Sequence, residues 1–270
     1  QSKLNAMLTQ DLMSGEGPDI IINAFDCNMI NRRDCLMDLT SYAKQEDGLL
    51  KNVLDAAKED GKLYQIPVSF GVKGIVTSSS NVNKQGFTFD EYSEFVSDVC
   101  NGKDPLKMNR IDFLDEVLAS MNDLIIKHGG DNSIDTKAIK AAATYANDNV
   151  PEYYYDPFGE ISGATYAEIN GFASFLLGEY TNGGFNLQDL TVVGLPSIDR
   201  RGPTIVVTNS MAIAADVNNP DACWSFCQRL LDDDIQKMFF ATGTPIKESV
   251  LISMCDEAIN AYNNMREAQI

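Results

Sequence analysis

Three small polar residues, Thr208, Asn209 and Ser210, interrupt two β-branched runs in TIVVTNSMAIAA. Hydroxyl and carboxamide groups placed together offer neutral donors and acceptors, the equipment of a binding site. Asp26 closes the run DIIINAFD, with Phe25 beside it. A polar residue there stands at the carboxyl end of a short strand, where open α/β sheets bind ligands; the alternative is a helix N-cap for residues 27–31. Glu179 and Tyr180 follow the apolar run Phe172–Leu177 and precede Gly183-Gly184, which suits a ligand contact or an exposed turn equally. Tyr153, Tyr154 and Tyr155 lie in PEYYYDPFG, either as a stacking platform or as packing for their own domain.

These residue types bind rather than react. The chain has no G-x-S-x-G, H-E-x-x-H or Walker sequence, and its single histidine, His128, sits in the helix-ending KHGG. Carboxylates are plentiful, yet no spacing sets two of them across a cleft as a glycoside hydrolase requires. The reading is therefore a non-enzyme that needs no metal or cofactor. Six cysteines form no C-x-x-C pair, so no zinc pattern exists. Cys223 and Cys227, one helical turn apart, read as small core residues; spacing leaves a Cys27–Cys35 bridge open.

A net charge of −18 argues against nucleic acid and anionic membrane surfaces, both of which need a basic patch. At 270 residues the chain is long enough for two separate cores. No apolar run reaches the ~20 residues that span a bilayer, and no signal-peptide pattern is present.

The elements that must position the polar residues follow from periodicity and turn chemistry. Leu4, Met7, Leu8 and Leu12 mark a helix closed by Gly15, and a short strand Asp19–Ile22 follows. Leu49–Lys58 reads as an amphipathic helix ended by Asp60-Gly61. Thr88 caps a helix with Glu91 three residues on and Gly102 beyond its end. Ile111–His128 reads as one longer helix burying Ile111, Leu114, Leu118, Met121 and Ile125. Ser133–Asn147 is a third, with Ala138, Ile139, Ala142 and Tyr145 inward. Strands are expected at Leu190–Leu195, Thr204–Thr208 and Met211–Ala215, the last two separated at Asn209-Ser210, with PSIDRRGP an exposed turn before them. Pro220 opens a helix in which Trp224 reads as core, and residues 247–266 are helical again.

The stretch GKLYQIPVSFGVKGIVTSSS, residues 61–80, organises the whole. Pro67 fixes φ and lacks a donor, and Gly71 loosens the backbone beyond it, so two strand-like halves joined by a bend are expected. The order of elements suggests a discontinuous first lobe, residues 1–70 and 204–270, with a largely helical second lobe, residues 71–203, inserted. Crossings fall at Pro67/Gly71 and Gly202-Pro203.

GEGPDIII, then DLT, then VLDAAKEDGKLYQIPVSFGVKGIVTSSS, resembles the extracellular solute-binding proteins of family 1, the sugar receptors of ABC importers related to maltose-binding protein. VVGLPS and VTNSMAIAADVNNPDACWSFCQRLLDDDIQKMFFATGTPI continue the resemblance, which covers roughly residues 4–250. Against the family pattern the chain looks trimmed at both ends, lacking a leading β-α-β unit and further carboxyl-terminal helices.

The resemblance implies an α/β, two-lobed periplasmic-binding-protein-like fold of class II, its discontinuous lobes joined by hinge strands. It implies a monomeric receptor that binds a sugar or oligosaccharide in an interlobe cleft and delivers it to a membrane permease. Such a protein is extracellular or periplasmic, anchored as a lipoprotein through a segment outside this chain. The ligand residues it implies are Phe25, Asp26, Ser69, Phe70, Tyr155, Glu179, Tyr180, Thr208, Asn209 and Ser210, with Phe70 alternatively a core residue. A sensor or scaffold without transport, or a carbohydrate-active hydrolase, are the competing expectations.

Overall fold

The computed structural model describes residues 2–23, 32–127, 133–155, 163–171, 189–239 and 243–267. The chain divides into two compact units, Gln1–Gly71 with Asn170–Leu176 and Ile205–Ile270, and Val72–Ile169 with Leu177–Thr204.

The first unit opens with helix α1, Ser2–Ser14. It stops where Gly15 takes φ +73, the left-handed conformation glycine adopts without a Cβ penalty. Glu16 N then donates to Asp11 O at 2.9 Å and Gly15 N to Leu12 O at 3.3 Å, satisfying carbonyls at the helix end. Strand β1, Ile20–Ile22, follows, and short helices α2 (Arg32–Cys35), α3 (Thr40–Ala43) and α4 (Lys51–Ala56) lead on. The amphipathic helix expected over Leu49–Lys58 thus shrinks to α4, which buries Val53. Asp60 and Gly61 carry φ of 50 and 79. That pair of positive values makes the tight two-residue turn in which Glu59 and Lys62 exchange backbone hydrogen bonds at 2.9 and 3.0 Å.

Strand β2, Ile66–Ser78, is continuous over 13 residues. The bend expected at Pro67 and Gly71 does not break it. Proline costs one backbone donor but its φ fits an extended chain, so the strand persists and its ladder changes partners instead. Ser69 and Phe70 pair with strand β8 of the first unit; from Val72 onward the same strand pairs with strands of the second unit.

In the second unit, helix α5 (Phe89–Asp98) begins with the expected capping box. Glu91 N donates to Thr88 Oγ1 at 3.3 Å, and Thr88 N to Glu91 Oε2 at 2.9 Å. Helix α6 spans Arg110–Ser120 and is capped by Asn109, whose side chain accepts from Ile111 N and Asp112 N. The single helix expected to His128 ends early. Met121 leaves helical geometry at φ −107, ψ 15, and a short α7, Asn122–Ile125, and a two-residue β3, Ile126–Lys127, follow. The expected face is mostly inward: Met121 and Ile125 are buried and Leu114 and Leu118 half-buried against the same core, but Phe113, Val117 and Ser120 are buried beside them, and Ile111 is 70% exposed. Two apolar stripes overlap in this sequence. The one carrying Phe113 is the more deeply buried, its ring stacking on Tyr145 at 5.5 Å.

Strand β4 (Ser133–Ile134) pairs with β3, and α8 (Thr136–Asn149) buries Ala138, Ala142, Tyr145 and Ala146. Alanines at these turns let α8 lie close against α6. Strands β5 (Ala164–Ile169) and β6 (Leu190–Val193) flank the second half of β2. A Cβ on Gly74 would stand 2.5 Å from Val193 O, so only glycine permits that approach. PSIDRRGP is not a free polar turn. Ser197 is buried, and the Arg201 guanidinium donates to the carboxylates of Asp123 and Asp199 and to Ser120 O. Three such acceptors fold the segment down onto the unit.

Strand β7, Thr204–Ile213, then enters the first unit as one uninterrupted strand, where a break at Asn209-Ser210 was expected. It pairs antiparallel with β1, Ile21 opposite Ala212. Helix α9 (Pro220–Gln228) starts on Asn219, whose side chain accepts from Ala222 N, with proline at the first helical position. Trp224, Cys223 and Cys227 are buried as read, Trp224 packing on Tyr42 with ring centroids 5.2 Å apart. A 3₁₀ turn, Arg229–Leu231, leads to α10 (Asp233–Met238), β8 (Thr244–Pro245) and α11 (Glu248–Glu267).

Candidate functional site

Four of the residues singled out from sequence meet in the first unit. Ser69, on β2, has no exposed surface. Its Oγ lies 2.7 Å from Thr208 Oγ1 and accepts from Asn209 Nδ2 at 2.7 Å. The polar side chains expected to break β7 instead bind across to β2, and that is why the strand continues.

Asn23 completes the arrangement from β1. The next rung of the β1–β7 ladder would be Asn23 opposite Ser210, and Asn23 N donates to Ser210 O at 2.8 Å. The chain then turns away at Asn23 φ 61, a conformation asparagine tolerates better than most residues. Its side chain supplies the other half of the rung, Oδ1 accepting from Ser210 N at 3.1 Å. Asn23 Nδ2 also donates to Asn209 Oδ1 at 3.3 Å, so the Asn209 amide is held at both ends. Ser210 Oγ, buried, donates to Gln65 Oε1 at 3.1 Å. Gly243 closes one side: a Cβ there would stand 2.5 Å from Thr208 Oγ1 and 2.7 Å from Ser69 Oγ.

Every member of the cluster is uncharged. Asn23 is exposed, Thr208 and Asn209 are partly exposed, and Ser69, Ser210 and Gln65 lie behind them. The exposed amides keep spare capacity, since each Nδ2 carries two hydrogens and each has one partner among the described residues. Such a surface can meet hydroxyl groups, which donate and accept at once.

The other predicted residues fall elsewhere. Phe70 follows Ser69 on β2 and is 7% exposed. Tyr155 belongs to the second unit and is 90% exposed, with Tyr153 at 86%. Phe25, Asp26, Glu179 and Tyr180 lie outside the described residues, as do Cys27 and His128. Asn23 and Gln65 were missed. Asn23 sits at the strand end from which Asp26 was chosen, and Gln65 is the one amide inside the apolar run LYQIPVSF; both were visible as polar interruptions.

Charge gathers in the second unit instead. Lys73 Nζ lies 3.3 Å from Glu116 and 3.2 Å from Glu168, and Tyr166 OH donates to Glu116 Oε2 at 2.8 Å. Burial, with the Glu116 carboxylate beside it, holds the Tyr166 phenol well above its ordinary range. Among the described residues no three His, Cys, Asp or Glu side chains converge as metal ligands. Burial pushes the Cys100 and Cys227 thiols up to about 11, away from nucleophilic character. Open cavities of about 530 and 600 Å³ lie elsewhere, the first lined by Lys44, Leu49, Lys51 and Leu63 and the second by Phe89, Lys140 and Tyr145.

No family model matches the chain, and no curated protein does. Solved structures align with more than nine-tenths of this chain and about seven-tenths of their own. An ABC transporter solute-binding protein from Thermotoga lettingae, bound with α-D-tagatose, aligns with 95% of this chain and 73% of its own at 14% identity and TM-score 0.51. A family 1 extracellular solute-binding protein from Alicyclobacillus acidocaldarius aligns over 94% and 70% at 15% identity and TM-score 0.59. The maltose-maltodextrin binding protein of that bacterium aligns over 92% and 71% at 18% identity and TM-score 0.52. The likeness defines the fold, which is the α/β, periplasmic-binding-protein-like fold of these solute-binding proteins.

Proposed function

We propose that this chain is a solute-binding receptor whose ligand is a sugar or oligosaccharide, and that it passes the solute to an ABC permease from outside the membrane. The observation that carries the reading is the Asn209 amide, clamped between Ser69 and Asn23. Side chains ordered before ligand arrives lose little entropy on binding, and uncharged amides match hydroxyls without the desolvation cost of a charge. Thr208, Asn209 and Asn23 face the solute in this reading, with Ser69 and Ser210 fixing them from behind. The reading takes no part of its support from catalysis; among the described residues no helix is long and apolar enough to cross a membrane.

Calorimetry and thermal shift against monosaccharides, oligosaccharides, polyols and small anions test it. A sugar should raise the melting temperature, and Asn209→Ala should weaken its binding about tenfold or more, the loss of one or two hydrogen bonds in a desolvated site. If no compound of the panel shifts the transition, the receptor reading fails.

One observation favours a second reading, a binding-protein fold retained as a sensor or scaffold. Ser69 and Thr208 satisfy each other and Gly243 packs directly over both, which leaves their hydroxyls little to offer a ligand. The same panel separates the two: a scaffold binds none of it.

A further inference from the structure

Two glutamines of the first unit are buried, and they are treated differently. Gln236 is fully satisfied: Nε2 donates to Val68 O at 3.1 Å and Leu230 O at 2.8 Å, while Oε1 accepts from Lys247 N at 3.3 Å. Gln65 is 1% exposed. Its Oε1 accepts from Ser210 Oγ, but its Nε2 has no partner among the described residues. Turning the amide over would pair Nε2 with Ser210 and leave Oε1 open instead, so one end stays open either way.

An open amide end in a protein interior costs stability, and native chains seldom carry one without a use. An apolar residue of similar size would avoid that cost in a run that reads LYQIPVSF. Local rules broken in this manner tend to mark functional positions. The position of the break supports that use here: Gln65 holds Ser210, whose backbone N–H is held by Asn23, whose amide in turn holds Asn209.

We propose that Gln65 is a ligand-reading residue of this cluster, its open amide end kept for a hydroxyl oxygen of the solute. The proposal rests on the receptor reading. The oxygen that reaches the amide comes from one of two sources, a solute hydroxyl or an internal water, and the experiment is built to tell them apart. A solute reaches a group this buried only by displacing what covers it, so binding and local opening are coupled.

The test compares Ser210→Ala with the double variant Ser210→Ala/Gln65→Met, and repeats it with Gln65→Leu. In the Ser210→Ala background the Gln65 amide has lost the one partner it has among the described residues, so replacing it removes an amide and leaves no hydroxyl stranded. Denaturant unfolding without ligand is followed by the emission of Trp224, the single tryptophan of the chain. Affinity for α-D-tagatose and maltotetraose is measured by calorimetry. The expected result is an unfolding midpoint equal to or above that of Ser210→Ala, together with about a tenfold weaker dissociation constant for the sugar that binds.

A lower midpoint in both apolar variants overturns the proposal whatever happens to binding, because the amide is then already satisfied by water in the free protein. An unchanged dissociation constant overturns it as well. If neither sugar binds the parent protein, affinity is read with whichever compound of the wider panel does; if none binds, the receptor reading fails and this proposal, which rests on it, is overturned with it.

Discussion

Asn209 Nδ2 donates to Ser69 Oγ at 2.7 Å across 140 residues of sequence, tying β7 to β2 at the point where both strands belong to the first unit. One hydrogen bond thus joins the two polar positions that interrupt apolar runs in distant parts of the chain. It also explains why neither interruption ends a strand: each polar side chain finds its partner in the other.

Ser69→Ala should therefore cost more than its size suggests. The hydroxyl is buried and serves both Thr208 and Asn209. Its removal strands one hydroxyl and one amide hydrogen, at a cost of about 1–3 kcal/mol. Denaturant unfolding monitored at Trp224 should show the midpoint fall with an unchanged slope; an unaltered midpoint would show the cluster to be energetically idle.

Gly243→Ala tests the same cluster by crowding. The new methyl would meet Thr208 Oγ1 at 2.5 Å, Ser69 Oγ at 2.7 Å and Ser69 Cβ at 2.9 Å. Hydroxyl rotation alone cannot relieve the approach to a Cβ, so a loss of about 1–3 kcal/mol is expected. Sugar affinity, if the receptor reading holds, should fall with it.

Glu91 sets an acid limit in the second unit. Its carboxylate accepts from Arg200 Nε at 2.8 Å, from Lys84 and from Thr88 N, and these bonds, the Arg200 one largest, hold it well below the ordinary carboxylate range. A depressed folded value means stabilisation that is present above the unfolded value of about 4.3 and lost as pH falls toward the folded one. Thermal melts between about pH 5 and pH 3 should decline less steeply for Glu91→Gln than for the parent. Parallel curves would refute the assignment.

Asp104 works in the opposite direction. Burial raises its carboxyl above the ordinary value, although Tyr92 OH donates to it at 2.5 Å and Leu106 N at 2.9 Å. A raised folded value means a contribution that is complete below the unfolded value of about 3.9 and lost as pH climbs through the folded one. Asp104→Asn keeps the acceptor and removes the charge. The variant should match the parent in acid and exceed it at neutral pH; a variant less stable at neutral pH would falsify this account.

What could be read from the sequence is what depends on neighbours within a turn or two. The Thr88–Glu91 capping box, the helix stop at Gly15, the Asp60-Gly61 turn and the burial of Trp224 all follow from residues a few positions apart, because capping bonds, φ preferences and helical periodicity act locally. The sequence also exposed the polar positions Ser69 and Thr208–Ser210 as exceptions within apolar runs. Tertiary structure decided the rest. Which of two overlapping apolar stripes of α6 is buried more deeply depends on Tyr145 stacking on Phe113. Whether Pro67 and Asn209 break their strands depends on partners in the ladder and across the sheet. That Asn209 meets Ser69, and that Gln65 meets Ser210 yet keeps one end of its amide open, has no local signature at all, since a hydrogen bond between strands is set by where the chain returns and not by what stands beside each residue.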